Sequence, residues 1–183
     1  MKIPNSKRKK ALFVIDVQPE FLNYRNKYIV KNIHKLLDKI KYDIYVEAVF
    51  YSQKGSLWDL QQNIVIPKGE KTHTVGSLAK VLLRLNAIEL EKQTRSIFKE
   101  DSKGLGKKLK DNEIEEIHLV GTQTNDCIFA SAIESFDLGF FAYAIEECCE
   151  SSSQALQDCG IALLRKQSMT NNSILENIDF LTI

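Results

Sequence analysis

The chain has 183 residues, of which 44% are hydrophobic and 27% charged, which is enough for one compact, folded domain. Its 25 lysine and arginine residues against 24 acidic residues leave a net charge of +1, so no overall field favours nucleic acid or membranes. The apolar run near the N-terminus is broken by Asp16, and no stretch reaches the roughly 20 apolar residues of a membrane span, so we expect neither a signal peptide nor a transmembrane helix.

Basic residues crowd the N-terminus, and we expect residues 1–10 to form a flexible basic tail on a single domain that spans 1–183. The chain contains four cysteines: Cys127, Cys148, Cys149 and Cys159. None belongs to a C-x-x-C motif, so disulfides are not expected, and free thiols indicate a cytoplasmic protein. A zinc site made from three of them and a histidine would match no usual ligand spacing.

The first half of the chain alternates strand and helix patterns. Ala11–Ile15 is a short apolar run typical of a buried strand, and Ile44–Phe50 predicts a second strand. Between them, Tyr28–Ile40 has apolar residues at helical spacing. The segment Tyr51–Glu70 is long and irregular. It is interpreted as a lid or pocket wall, with a short helix around 56–62 or a subunit contact as open alternatives.

The second half continues the alternation of helices and strands. The predicted elements are a helix at Ser77–Leu85, a strand at Ala87–Lys92, a helix from Leu105, a strand at Ile117–Val120, a helix that begins at Cys127 and ends at Gly139, a strand at Phe140–Ile145 and a helix at Ser151–Lys166. The terminal segment to Ile183 has room for one last strand or helix. In the last helix the spacing predicts an inward face made of Ala155, Leu156, Cys159, Ala162 and Leu163.

This alternation predicts a three-layer α/β/α fold, Rossmann-like, with a mostly parallel central sheet of about six strands. Asp16, Lys92 and Cys127 each follow a predicted strand, so all three can meet at the carboxyl edge of the sheet. Individually each has a plainer interpretation: a helix cap, a solvated charge and a buried inert thiol. Their convergence favours a reactive-thiol site.

Three motifs resemble the isochorismatase-like cysteine hydrolases. The first is Asp-x-Gln after the first strand with an aromatic nearby, present as Asp16-Val17-Gln18 and Phe21. The second is a lysine four residues before Ser-x-Phe, present at Lys92. The third is Gly-x-x-Thr-x-x-Cys at the start of a helix, which here runs from Gly121 to Cys127.

The resemblance implies a catalytic triad of Asp16, Lys92 and Cys127. It also implies a cis peptide bond between Thr122 and Gln123, with the backbone N–H groups of Gln123 and Cys127 forming an oxyanion hole. The residues fit this chemistry, because no histidine follows a strand as a base would, whereas Asp16 could accept the thiol proton and Lys92 could supply a positive field.

We predict that the substrate is a small molecule with an amide or carbamoyl C–N bond, and that it contacts Gln18, Phe21, Tyr51, Trp58 and Thr124. The polar Gln123 side chain suggests a pocket that accepts a polar substrate. Nicotinamidases of this family carry a metal cluster after the second strand, but the segment 49–55 here has no histidine or carboxylate. We therefore expect no metal and no cofactor, and we doubt nicotinamidase activity.

Other interpretations remain open at this point. The chain could be an isochorismatase-type vinyl-ether hydrolase, although such members can lack the cysteine. It could also be a non-catalytic relative that only binds a ligand or partner. A receiver domain with Asp16 as phosphate acceptor is disfavoured, because Lys9 and Lys10 stand where its acidic residues would be. We expect no nucleic acid and no membrane as partners, and by resemblance to the family a homo-oligomer.

Overall fold

The computed structural model describes residues 8–69, 73–99 and 104–171, which form a three-layer α/β/α fold around a parallel sheet. Six strands lie in the order β3-β2-β1-β4-β5-β6, and every neighbouring pair is parallel. Their bounds are β1 Lys10–Ile15, β2 Ile44–Phe50, β3 Ile88–Lys92, β4 Glu116–Gly121, β5 Phe141–Cys149 and β6 Thr170–Asn171. The predicted fold class is therefore confirmed.

Helices cover both faces of the sheet. Their bounds are α1 Tyr28–Lys39, α2 Leu57–Gln62, α3 Gly76–Arg84, α4 Leu105–Asp111, α5 Phe129–Asp137 and α6 Gln154–Lys166. Strand β1 is apolar throughout because alternate residues serve two cores: Phe13 points to the side of α4 and α5, and Leu12 to the side of α1 and α3. This central position brings the end of β1 close to both neighbouring strands.

Helix α6 shows the opposite orientation to the one that the sequence predicts. Its buried residues are Gln157, Gly160 and Leu164, whereas the expected inward residues are all exposed: Ala155, Leu156, Cys159, Ala162 and Leu163. The inward face is narrow because α6 packs tightly through a glycine. A Cβ atom at Gly160 would lie 2.8 Å from the backbone nitrogen of Asn125.

Two further segments bear on the predictions. In the segment 51–69 the alternative of a short helix around 56–62 is confirmed as α2, whose first turn is capped by the Ser56 side chain. Strand β5 runs four residues beyond the predicted end at Ile145, because Glu146 and Glu147 are accommodated at partly exposed positions and Cys148 and Cys149 are buried.

The described N-terminal residues do not form a tail. The guanidinium of Arg8 lies 3.2 Å from Glu116, the ammonium of Lys9 lies 2.6 Å from Glu113, and Lys10 begins β1. The prediction of a flexible tail is therefore wrong for residues 8–10. Residues 1–7 lie outside the described residues, as does any further element after Asn171. Among the helices described, none is both long enough and apolar enough to cross a bilayer.

Candidate active site

Asp16 lies at the carboxyl end of β1, where the chain turns away from the sheet. Its backbone adopts the left-handed conformation, with φ at +53°, and its N–H donates to the carbonyl of Ala48 on β2 at 2.9 Å. The side chain is 1% exposed. The sheet edge thus holds a buried carboxylate beside the end of β2.

Lys92 ends β3, the strand on the far side of β2. Its side chain passes the ring of Phe50, with the ammonium nitrogen 5.2 Å from the ring centre. The Nζ atom donates to Asp16 Oδ2 at 2.7 Å and to the carbonyl of Thr94 at 3.1 Å, and it lies 3.4 Å from Cys127 Sγ. A buried cation therefore joins the carboxylate to the thiol.

Cys127 lies in a π-helical turn, Thr124–Ile128, which continues directly into α5. We call this segment the Cys127 turn. Cys127 is 8% exposed. The turn follows β4 through Gly121, whose φ of +124° and contact with β1 leave no room for a side chain: a Cβ atom would lie 2.0 Å from the carbonyl oxygen of Ile15. This close approach brings the thiol over the end of β1.

The two charged groups, Asp16 and Lys92, and the Cys127 thiol strongly affect one another's pKa. Burial raises the pKa of Asp16, and this outweighs the opposite effects of Lys92 and of the nearby Cys127 thiol. Burial disfavours the charge on Lys92, but Asp16 and Cys127 overcome it, and the pKa of Lys92 is raised. Burial and the Asp16 charge raise the pKa of Cys127 well above its ordinary value, despite Lys92. The resting thiol is therefore protonated, and a thiolate requires transfer of its proton.

A proton acceptor is available for that transfer. Lys92 occupies only Oδ2 of Asp16, and Oδ1 is buried and makes no hydrogen bond within the described residues. An unpaired buried carboxylate oxygen is costly unless a donor reaches it. The Oδ1 atom of Asp16 can therefore accept a proton from a donor beside Cys127.

The Cys127 turn also frees backbone donors. The carbonyl of Gln123 accepts from the N–H of Asp126 at 3.0 Å and from that of Ile128 at 3.2 Å, and within the described chain it has no bond from the Cys127 N–H between them. The peptide bond between Thr122 and Gln123 is cis, as the resemblance implies. The N–H groups of Gln123 and Cys127 remain the predicted donors to a developing negative charge.

The loop between β5 and α6 holds the Cys127 turn in place. Ser151 Oγ donates to the side-chain oxygen of Asn125 at 2.8 Å, and the N–H of Ser152 donates to Gln123 Oε1 at 3.2 Å. The Gln123 side chain is therefore engaged with this loop, although Gln123 borders the pocket. Gly160 adds a close backbone contact from α6.

The cavity above the thiol is small, about 50 Å³. It is lined by Asp16, Phe21, Phe50, Trp58, Ile64, Thr122, Gln123, Asp126 and Cys127. A larger open groove of about 1070 Å³ lies beyond Trp58 and Arg95, between α2 and α5, but it contains none of the three central residues. We assign the chemistry to the smaller cavity because Asp16 and Cys127 both line it, and the Lys92 ammonium contacts both of these side chains.

Two of the five residues predicted to contact the substrate line the cavity. Phe21 and Trp58 line the cavity, and the indole N–H of Trp58 is fixed by the carbonyl of Gln93 at 2.6 Å. Tyr51 and Thr124 are not among the lining residues: the Tyr51 ring lies beside Lys68, whose ammonium is 5.6 Å from the ring centre, and Thr124 is fully buried.

The structure gives Gln18 a different role from the predicted contact with substrate. Its side chain is fully buried, and its amide accepts from the N–H of Phe50 at 2.7 Å and donates to the carbonyl of Phe50 at 3.0 Å. Both of its polar groups are used, so it clamps the ends of β1 and β2 together and has none left for a substrate.

Sequence reasoning missed several pocket residues. Phe50 is the last residue of β2 and forms one aromatic wall, with Trp58 edge-on at 4.8 Å between ring centres. Its position at a strand end was the available signal. At the mouth, Asp126 pairs with Arg95, and the Arg95 guanidinium lies 4.5 Å from the centre of the Trp58 ring. Nothing in the spacing of Arg95 indicated this contact.

We next consider disulfides and metal ligands among the described side chains. All four cysteines are free thiols. In the described ranges, no group of three or more histidine, cysteine, aspartate or glutamate side chains is arranged to hold a metal ion.

Comparisons with known proteins agree on the fold. The family model for the isochorismatase domain matches residues 10–173. No curated protein matches the sequence at a significant level. An isochorismatase family protein from Desulfovibrio vulgaris subsp. vulgaris str. Hildenborough has a TM-score of 0.76 at 19% identity, over 96% of this chain and 100% of that chain.

Two amidases have similar structures. The nicotinamidase/pyrazinamidase PncA from Bacillus subtilis has a TM-score of 0.73 at 20% identity, over 90% of this chain and 98% of its own. The pyrazinamidase of Pyrococcus horikoshii, solved in complex with zinc, has a TM-score of 0.73 at 16% identity, over the same shares of the two chains. At these identities the likeness shows a common fold.

Proposed function

The chain belongs to the isochorismatase domain family, and from this premise we propose that it is a hydrolase that cleaves the C–N bond of a small amide or carbamoyl compound through a thioester on Cys127. The observation that carries the proposal is the buried contact of Lys92 with both Asp16 and Cys127. A structural ion pair has no need of a thiol beside it, whereas a nucleophile requires both a base and a positive field.

The first step is proton transfer. Asp16 accepts the proton of the Cys127 thiol as the substrate enters and excludes water. Its raised pKa makes it a stronger base than an exposed carboxylate, and the opposing high pKa of Cys127 makes the resting thiol unreactive until a carbonyl is in place. Lys92 keeps its charge throughout and stabilises the thiolate.

Acylation then follows. The Cys127 sulfur attacks the carbonyl carbon, and the carbonyl oxygen becomes an oxyanion held by the N–H groups of Gln123 and Cys127. When the tetrahedral intermediate collapses, the C–N bond breaks and Asp16 returns its proton to the departing nitrogen. Ammonia or an amine leaves, and the acyl group remains on the sulfur as a thioester.

Deacylation restores the enzyme. A water molecule gives one proton to Asp16 while its oxygen attacks the thioester carbon at the same oxyanion site. The second collapse breaks the C–S bond, the sulfur regains its proton from Asp16, and the carboxylic acid is released. Hydrolysis of a carbamoyl compound follows the same steps with carbamate as the released acid.

The pocket supports a small, flat substrate. A volume of about 50 Å³ between Phe21, Phe50 and Trp58 accommodates a planar amide group against aromatic walls. Nicotinamide itself is disfavoured, because residues 51–55 supply neither the histidine nor the carboxylate of the nicotinamidase metal cluster.

The test is a panel of small aliphatic and aromatic amides and carbamoyl compounds, nicotinamide and pyrazinamide included, scored for ammonia release. We expect activity toward at least one compound, with a loss of at least 100-fold in Cys127→Ser. Ammonia release that is equal in the wild type and Cys127→Ser would contradict the thioester route. Binding without any turnover would support a ligand-binding relative instead.

We also propose that the protein works in the cytoplasm. Four free thiols, one of them exposed on α6, suit a reducing compartment. Accumulation of the tagged protein in an oxidising compartment would contradict this.

A further inference from the structure

Asp126 lines the small cavity above Cys127, but the proposed mechanism gives it no part. It directly precedes Cys127 in the Cys127 turn, and its side chain is 33% exposed at the mouth of the cavity. Burial is the main reason why the pKa values of Asp16 and Cys127 are raised, and the charge on Asp126 raises both further. The Asp126 carboxylate is therefore within electrostatic range of both reacting groups.

Arg95 holds the Asp126 carboxylate in place. Its Nε atom donates to Oδ1 of Asp126, and its guanidinium lies 4.5 Å from the centre of the Trp58 ring. Trp58 is fixed in turn, because its indole N–H donates to the carbonyl of Gln93 at 2.6 Å. Among the described residues, no group donates to Oδ2 of Asp126. The mouth of the cavity thus has a fixed carboxylate with one oxygen available to accept a hydrogen bond.

The charged side chains that line the small cavity are both carboxylates. Asp16 has its unpaired Oδ1 atom and Asp126 its Oδ2 atom, and none of the lining residues in the described ranges is a lysine or arginine. Lys92 contacts Asp16 and Cys127 without lining the cavity. The predicted donors to the substrate are backbone N–H groups, which serve its carbonyl oxygen. The cavity therefore suits a carbonyl group with N–H donors beside it.

Two carboxylates in one cavity can distinguish a urea from an amide. A primary amide has N–H donors on one side of its carbonyl group and carbon on the other. An N-substituted urea, R–NH–CO–NH2, has N–H donors on both sides and is also planar. A charged acceptor favours the ligand that supplies a donor, because the acceptor loses its hydrogen bond when a CH2 group takes the place of the N–H.

We propose that Asp126 is a specificity-determining residue that accepts a hydrogen bond from the inner N–H of an N-substituted urea, so that the enzyme prefers ureas to the corresponding amides. The inference rests on the proposed function and narrows its substrate class.

The proposed steps apply to such a urea without change. The Cys127 sulfur bonds to the urea carbon, the bond from this carbon to the terminal nitrogen breaks, and that nitrogen leaves as ammonia with the proton from Asp16. The inner N–H stays on the acyl group and keeps its hydrogen bond to Asp126. Water then cleaves the C–S bond and releases an N-substituted carbamic acid, which decomposes to CO2 and an amine.

The experiment compares N-methylurea with propionamide, which differ only in an N–H group in place of a CH2 group. N-Phenylurea and phenylacetamide form a second pair that differs in the same way. The value of kcat/KM for ammonia release is measured for each compound with the wild type and with Asp126→Ala. The ratio of urea to amide should fall about tenfold in Asp126→Ala, because the variant lacks the acceptor. The intrinsic reactivities of the two carbonyl groups cancel in this comparison, since they are the same for both enzymes.

Asp137→Ala is the matched control. Asp137 is exposed on α5 and lines the larger groove, not the small cavity. Its variant should keep the wild-type ratio of urea to amide. Circular dichroism should show that both variants are folded.

A binding measurement separates this inference from the proposed hydrolysis. Ligand-observed NMR titrations use the Cys127→Ser protein, in which no thioester forms on residue 127. N-Methylurea should bind about tenfold more tightly than propionamide, and the difference should vanish when Asp126→Ala is added.

The possible results are distinct. Turnover with the same urea-to-amide ratio in the wild type and Asp126→Ala would overturn the inference and leave the proposed hydrolysis standing. Tighter binding of the urea that depends on Asp126, without turnover of any compound, would support the role of Asp126 and contradict the proposed hydrolysis. Equal dissociation constants for urea and amide, or no binding of either urea, would overturn the inference.

Discussion

Gly160 of α6 lies directly against the backbone of Asn125 in the Cys127 turn. A Cβ atom at Gly160 would be 2.8 Å from the nitrogen of Asn125 and 2.9 Å from its Cα, so either the helix or the turn would have to move. The position of the nucleophile thus depends on a residue that touches neither substrate nor the reacting atoms.

Gly160→Ala should therefore lower the activity by displacing the Cys127 turn. Overpacking of this kind costs about 1–3 kcal/mol of stability, and a displacement of the nucleophile by about 1 Å can lower the rate on the order of 100-fold. The measurements are the melting temperature and kcat. Gly76→Ala in α3 is the matched control, since a Cβ atom there meets nothing within 4 Å. Wild-type kcat and stability in Gly160→Ala would rule out this role of the contact.

Gln18→Leu should destabilise the protein, because the buried N–H and carbonyl of Phe50 both lose their partner. Each unpaired buried group costs about 1–3 kcal/mol, so we expect a clear fall in the midpoint of urea unfolding. Gln167→Leu, at an exposed position after α6, is the control. If Gln18 bound substrate instead, its variant would raise KM and leave the unfolding midpoint unchanged.

The pH dependence of kcat/KM should report on Asp16 and Lys92. The pKa of Asp16 is raised above the ordinary 3.8, so activity should fall on the acid side at a pH higher than that value. Lys92 holds that pKa down, so Lys92→Met should move the acid limb to higher pH. It should also lower kcat/KM on the order of 100-fold or more.

Lys99→Met is the matched control for that experiment. Lys99 is exposed and lines the larger groove, away from Asp16. Its variant should keep the wild-type acid limb. An unshifted limb in Lys92→Met would show that Lys92 does not act on the base.

Glu116 should contribute to the loss of folding stability as the pH falls. It begins β4 at the amino edge of the sheet, opposite the site, and pairs with Lys10 at 2.8 Å and His118 at 2.8 Å. Burial favours its neutral form, but the hydrogen bonds from His118 and Lys10 prevail and lower its pKa from 4.5 to about 2. A lowered pKa stabilises the fold above pH 4.5, and this contribution is lost as the pH falls from 4.5 through about 2.

Glu116→Gln should accordingly lower the free energy of unfolding at pH 7 and weaken its dependence on pH below 4.5, with no change in kcat. Glu115→Gln, at the exposed neighbour, should behave as the wild type. The measurement is urea unfolding at pH 7, 4 and 3. An equal loss of unfolding free energy in the wild type and Glu116→Gln between pH 7 and pH 3 would contradict this account.

The sequence was sufficient to predict the parallel sheet and the meeting of three residues at one of its edges. A parallel sheet brings the ends of its strands to one edge, so Asp16, Lys92 and Cys127 could be brought together by pattern alone. Their protonation could not be predicted. A cysteine at the start of a helix is expected to have a lowered pKa, because the helix N-terminus stabilises the thiolate. Burial and Asp16 instead raise the pKa of Cys127, and burial depends on packing that the sequence does not display.

The orientation of α6 and the role of Gln18 show a second limit of prediction from the sequence. Periodicity identifies an apolar stripe but not what covers it, and in α6 a single glycine decides which face packs inward. Likewise, a glutamine after a strand can face a pocket or a neighbouring backbone. Only the position of Phe50 distinguishes the two.

The central claim is that Cys127 carries the acyl group, and intact-mass analysis of enzyme quenched in acid during turnover tests it most directly. With an amide that releases ammonia, we predict an adduct of the acyl mass, mapped by peptide analysis to Cys127 and absent from Cys127→Ser. Sustained turnover with no adduct on Cys127, together with undiminished ammonia release by Cys127→Ser, would contradict the account.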